Sequence, residues 1–306
     1  MSPAISSQKQ YISTYMSLIK KTKSEDIGTI FDFIKKSKVT DTTKLSYLNS
    51  IISLKKLDSS LVKGDLSQLK EYRDSLGLDV EKKREMNNTN ERQSKALQKV
   101  SLEDLQNFVK ELNDKKNESI KDLDRYILVK LMVTYPIRND LQDISLTRSK
   151  KDLELPLNSL FVPNEKGKNA ILSIKEYKTA HSRSKQDDSE PEENKDINIT
   201  LDADISNDIR TLIEDKRTHL FVNQKGEPLS SSSFTHRLNK IFLDKFGVPI
   251  SSTIIRKIYV TGKYAPILKE MEHDAAVMGH NIQTQQKIYV QKKDGKYTTS
   301  KSKSKP

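Results

Sequence analysis

His280 and Tyr289 stand nine residues apart near the C-terminal end of this chain, and between them they can do covalent chemistry. A phenol ionises only near pH 10, so a tyrosine becomes a nucleophile where charged or proton-accepting neighbours stabilise its phenolate. The run Met278-Gly279-His280-Asn281 reads as a helix end, with glycine in the position that stops helices. A tyrosine two or three turns of chain later can then fold back with the imidazole onto one ligand. Neighbours able to stabilise a phenolate must come from upstream.

Composition narrows the ligand. The 306 residues carry 54 Lys and Arg against 42 Asp and Glu, a formal charge of +12 and a pI of about 9.4, so the field around the protein favours polyanions, nucleic acid foremost. The absence of cysteine excludes disulfides and thiolate metal sites, and the five histidines do not cluster at ligand spacing, so metal-independent chemistry is expected. Mean hydropathy is -0.71, and the start Met1-Ser2-Pro3-Ala4 is polar. The expectation is a soluble protein, neither secreted nor in a membrane, and cytoplasmic or nuclear according to where its target lies.

The elements that must position the chemistry fall into two groups. Residues 8–80 read as a small helical bundle, with Tyr11, Tyr15, Leu18 and Ile19 on one face and Ile27, Ile30, Phe31 and Ile34 on another. A third helix starts after Thr40 or Asp41, and a fourth carries Leu66, Leu69 and Tyr72 to a stop at Gly77. Residues 81–99 are polar and charged without an apolar period and read as a linker. A second domain, 100–290, opens with the capping-box pattern Ser101-Leu102-Glu103-Asp104. The helix over Ile120–Met132 ends at Tyr135-Pro136, which leaves Arg138 at a junction before a short helix capped by Asn139 or Asp140.

Strands are expected over 160–162, 170–174 and 197–199. The last two form a hairpin whose long acidic tip presents Lys178 near its edge. A helix over 205–213 and a short strand over 219–222 follow, and then a helix after Ser230–Ser233. One further helix begins at Ser251–Arg256, and a separate one runs from Pro266 to Met278. Residues 291–306 read as a mobile basic tail. The fold class is therefore mainly α with a small β-sheet, α+β.

Taken in order, Arg138 after a helix, Lys178 beside a strand, Arg256 in a late helix, Gly279-His280 and Tyr289 form a set that resembles the tyrosine recombinase (phage-type integrase) family over roughly residues 130–290. The family's Leu-Gly-His stands here as Met278-Gly279-His280. Val39–Tyr47 looks like the helix entry of that family's core-binding domain, a weaker match. The resemblance implies a helical core-binding domain and a catalytic domain clamping duplex DNA, with homo-oligomers, a tetramer in the recombining complex. It also implies strand cleavage through a 3'-phosphotyrosine with no metal or nucleotide cofactor, and a virus or mobile element as the natural home.

The chemistry of the residues agrees with those roles. When Tyr289 attacks a phosphodiester, charge builds on the nonbridging oxygens, and Arg138 and Arg256 can hold them through paired charge-assisted hydrogen bonds. Lys178 is placed to protonate the departing 5'-oxygen, with Lys175 close enough to compete and Lys185 further into the insertion. His280 hydrogen-bonds the phosphate or relays a proton. The family's usual histidine three residues before the second arginine is Thr253 here, and threonine is no base at neutral pH. Two other readings stay open: a type IB topoisomerase-like DNA-relaxing enzyme, and a DNA-binding relative with impaired catalysis.

Overall fold

The computed structural model describes residues 5–85, 91–138, 141–165, 167–175, 196–213, 217–284, 292–293 and 296–297. The chain is mainly helical with a small four-stranded sheet, and it divides into two compact units, Met1–Asn90 and Glu91–Pro306.

In the first unit, α1 (Ile5–Thr22), α2 (Ile27–Lys36), α3 (Asp41–Leu57) and α4 (Ser67–Glu85) surround one core. The apolar faces expected from the spacing are the buried ones: Ile27, Ile30, Phe31 and Ile34 of α2, and Leu48, Ile51 and Ile52 of α3. Thr40 is the cap of α3, its hydroxyl accepting from the Thr43 amide, and Asp26 caps α2 in the same way at 2.7 Å from the Thr29 amide. Gly77 does not stop α4. Leu69, Leu76 and Val80 keep one face buried across it, and that burial outweighs the helix penalty of a single glycine.

The stretch read as a linker, 81–99, is helical at both described ends: α4 continues to Glu85, and α5 spans Glu91–Lys99. Ala96 and Val100 are buried in the core of the second unit, with Leu97 packed beside them. So few apolar residues in a charged run gave too weak a period to read as helix.

The second unit is built around α7 (Ile120–Thr134), which is buried on nearly every face. α6 (Leu102–Lys115) packs on it behind the expected capping box, with Ser101 and Asp104 each accepting from the other's amide at 3.1 and 2.8 Å. The sheet runs β1 (Ser145–Thr147), β2 (Ser159–Phe161), β3 (Ile171–Ile174), β4 (Ile197–Thr200), with β1 parallel to β2 and the other pairs antiparallel. The expected pairing of 170–174 with 197–199 is present, Ile174 opposite Ile197. β1 was not expected, being three residues of mixed polarity. The strand expected over 219–222 is reduced to two isolated bridges, Ser145 to His219 and Val222 to Pro228. Of the short helix expected here, Asn139 and Asp140 lie outside the described residues; Leu141 is 3-10 helical, Gln142 and Asp143 form a turn, and Leu141 and Ile144 are buried.

Three helices complete the unit: α8 (Ala203–Ile213), α9 (Ser231–Phe246) and α10 (Ser252–Val277). The two helices expected over 251–278 are one, with Pro266 inside it. Beyond α10 come a single turn, α11 (Ile282–Thr284), and a two-residue antiparallel pair, Lys292–Lys293 with Lys296–Tyr297, where a structureless tail was expected.

Candidate functional site

α7 and α10 supply the arginines. The C-cap of α7 is Tyr135, its amide bonded to the Leu131 carbonyl, and Pro136 prevents a further turn. The chain then leaves the helix through Ile137, which packs against the core and fixes Arg138 next to it. Arg138 is half-buried, and its Nη1 lies out of solvent contact with no hydrogen-bond partner among the described residues. A guanidinium N–H without an acceptor is costly, and an anionic ligand would satisfy it.

Arg256 sits on the first turns of α10, where Ile254, Ile255 and Ile258 anchor the helix in the same core and α10 packs against α5, α6 and α7. Its Nε donates to the Ser252 carbonyl at 3.3 Å and its Nη2 to the Thr253 hydroxyl at 3.2 Å. Thr253 is exposed, and its hydroxyl accepts that bond from the guanidinium. Ile137, the neighbour of Arg138, and Ile254, Ile255 and Ile258 of α10 pack in the same core.

Gly279 ends α10 as expected, with φ 76°. The amide of Gly279 bonds the Ala276 carbonyl at 3.1 Å and that of His280 the Ala275 carbonyl at 3.0 Å, the paired bonds of a Schellman ending. His280 is half-buried, and its Nδ1 lies 3.3 Å from the Asn281 carbonyl.

The structure does not bring His280 to Arg256. α10 runs unbroken from one to the other, and at the 1.5 Å rise of an α-helix the span from Arg256 to Val277 is about 32 Å. Lys178 and Tyr289 lie outside the described residues. The competing lysine, Lys175, follows β3 and is 3.2 Å from Asp196, the residue before β4, with only 15% of its side chain exposed. That ion pair ties Lys175 to the start of β4.

Sequence reasoning missed a second charged centre. Asp124, in the middle of α7 and 8% exposed in its side chain, meets Arg217 Nη1 at 3.3 Å and closes on Arg237 Nη2 of α9. Arg210 of α8, also buried, donates its Nε to the Pro163 carbonyl at 2.9 Å and pins the loop after β2. Neither has a local spacing signal; Asp124 alone, a charge in the middle of an otherwise apolar helix face, was a visible irregularity. A groove of about 310 Å³ between α6, α7 and α9, lined by Phe108, Arg125 and Lys245 among others, contains none of the expected site residues.

Among the described residues no helix is long and apolar enough to cross a membrane. Comparison with protein-family models, curated proteins and solved structures found no match.

Proposed function

We propose that the chain is a DNA strand transferase of the tyrosine recombinase type, a site-specific recombinase or integrase that cleaves and rejoins duplex DNA through a phosphotyrosine intermediate. The observation that carries this reading is Arg138, whose desolvated Nη1 lacks an acceptor among the described residues while Arg256 stands on the same core. Two guanidiniums suit a phosphodiester in which charge grows on two nonbridging oxygens. The charge of +12 supplies the long-range attraction for DNA.

In this mechanism the Tyr289 oxygen attacks phosphorus, and the bond from phosphorus to the 5'-oxygen breaks. Arg138 and Arg256 hold the nonbridging oxygens, and Lys178 gives its proton to the departing 5'-oxygen. The proton of the phenol goes to His280, a water or the phosphate itself, since Thr253 has no basicity to offer. The first unit acts as the core-binding half of the clamp and the second as the catalytic half, in homo-oligomers on DNA, a tetramer when two duplexes recombine. No metal or nucleotide cofactor enters these steps.

The test is covalent capture. Purified chain is incubated with a pool of nicked duplexes of randomised sequence, and the DNA retained after denaturation is sequenced. Wild type is expected to yield a protein–DNA adduct mapping to Tyr289, and Tyr289→Phe to yield none with DNA retention intact. An adduct that forms equally in Tyr289→Phe, or no adduct from wild type across the pool, sinks the proposal. Relaxation of a supercoiled plasmid with no exchange of partner strands would move it to the topoisomerase class. The reading in which catalysis is impaired draws on one observation, Thr253 in place of a base.

A further inference from the structure

The 26-residue helix α10 turns two different sides to its surroundings. Ile255 and Ile258 are buried, and Gly262 lies so close to α6 that a Cβ there would stand 2.6 Å from the Leu102 Cβ. At about 100° per residue these three share one side of the helix, and Pro266 follows on that side. The opposite side carries Tyr264, Ile267, Leu268 and Met271, the i, i+3, i+4, i+7 spacing by which a helix docks on a partner. The first three of these are 42, 50 and 46% exposed, and every residue from 261 to 270 is exposed. A contiguous apolar stripe in solvent marks a contact surface, unlike a single exposed leucine.

The order of the stripe says what it contacts. It is symmetric about the point between Ile267 and Leu268, so a second copy laid antiparallel sets Tyr264 against Met271 and Ile267 against Leu268. The charges beside it obey the same symmetry. On one flank Lys263 stands toward the N-terminal end, its ammonium donating to the Tyr259 hydroxyl at 3.2 Å and lying 5.2 Å from the centre of the Tyr264 ring. Glu270 and Asp274 stand on the same flank toward the C-terminal end, both exposed, and Glu272 stands on the other flank. An antiparallel pair keeps each flank beside its own counterpart, so Lys263 of each copy falls between Glu270 and Asp274 of the other. A parallel pair instead sets Glu272 against Glu270 and Asp274, like against like, which is unfavourable.

We infer that the outer half of α10 is a self-association surface: two copies of this chain pair through it, antiparallel about a two-fold axis between Ile267 and Leu268. Such a contact uses the same patch on both copies and closes at two. The patch is small beside a standard interface, so the dimer is weak and reversible, and the flanking charges fix its direction more than its strength. The pairing needs no DNA and does not rest on the proposed function.

The test is sedimentation equilibrium on the full chain without DNA, over about 1 to 300 μM, the range in which a small interface associates. The mass is expected to rise with concentration from the 35.1 kDa of one chain toward twice that value and no further. Leu268→Arg, an exposed site where the substitution sets two like charges about the axis, is expected to weaken pairing about a hundredfold with the thermal midpoint unchanged. Lys263→Glu alone should weaken it as well, and Lys263→Glu with Glu270→Lys and Asp274→Lys should restore it.

The absence of native cysteine makes the direction readable by disulfide trapping. In the antiparallel pair two copies of residue 264 lie about 10 Å apart along the axis, beyond the reach of a disulfide. Tyr264→Cys chains are therefore expected to stay unlinked by themselves and to link when mixed with Met271→Cys chains. A mass that stays at 35.1 kDa throughout overturns the inference, as does growth past two copies. Pairing untouched by Leu268→Arg overturns it too, and so does linking of Tyr264→Cys chains to each other, the mark of a parallel pair. Loss of covalent DNA capture with the dimer intact would sink the proposed function and leave this surface standing.

Discussion

Asp124→Ala should unfold the second unit more readily than any change at an exposed ion pair. Asp124 lies within α7, its carboxylate shared between Arg217 from the segment before the His219 bridge and Arg237 from α9, with the three side chains 8, 10 and 25% exposed. Removing the carboxylate leaves two guanidiniums in the interior without this counter-charge, and breaking a buried pair in that way costs about 3–5 kcal/mol. For a unit of this size each kcal/mol moves the midpoint by about 2–4 °C, so the expected loss is on the order of 6–20 °C. Circular dichroism or calorimetry reads the change. The control is Asp124→Leu combined with Arg217→Met and Arg237→Met, which removes all three charges and should recover most of the stability, since a buried ion cluster is worth little over apolar groups of like volume. If Asp124→Ala shifts the midpoint by only about 1 °C, or if the triple variant is less stable than the single one, the centre is not the buried lock described. Because α7 also delivers Tyr135, Ile137 and Arg138, a loosened α7 should weaken adduct formation as well.

Three further outcomes follow from the geometry. Arg256→Ala and Arg138→Ala should each slow covalent capture by about 100- to 1,000-fold in single-turnover assays while DNA is still retained, the cost of one preorganised donor; an Arg138→Ala enzyme at wild-type rate would remove that residue from the site. Arg256→Lys should recover little of the loss, because an ammonium cannot reproduce the fork that grips two oxygens and also reaches Thr253. On acidification, Asp26 and Asp104 are the helix-end groups to watch. Hydrogen bonds from Thr29 hold the Asp26 carboxyl below its ordinary value, and bonds from Ser101 do the same for Asp104. A depressed folded pKa contributes stability that is present above the unfolded value of about 4 and is lost as pH falls through the lower folded value. Helix content measured by circular dichroism should therefore decline below about pH 4, and Asp104→Asn should flatten that decline.

The parts of the fold legible in the sequence were those written in local terms. The α2 stripe, the Thr40 cap, the Ser101–Asp104 box, the stop at Tyr135 and the hairpin of β3 with β4 all follow from spacing or from the chemistry of single residues, and all are present. What failed was the reading of glycine and proline as punctuation. Gly77 and Pro266 both lie inside helices, Gly77 because Leu69, Leu76 and Val80 pack across it, and Pro266 in a segment with few packing contacts to oppose the helix. α5 and β1 were missed for the opposite reason, too few apolar residues to set a period. The geometry of the charged groups was not legible: no spacing rule tells that Lys175 is paired with Asp196, or that Asp124 gathers two arginines from distant segments.

The two misread positions differ in what they imply. At Gly77 the helix continues with its inward face buried on both sides, so the glycine only lowers the stability of a helix that tertiary packing already holds. At Pro266 the helix continues with nearly all of its outer half in solvent and an apolar stripe uncovered, so little besides the local backbone preference keeps it helical, and the proline works against that preference. Reading Pro266 as the start of a separate helix fails here, because the backbone runs helically through it from Ser252 to Val277.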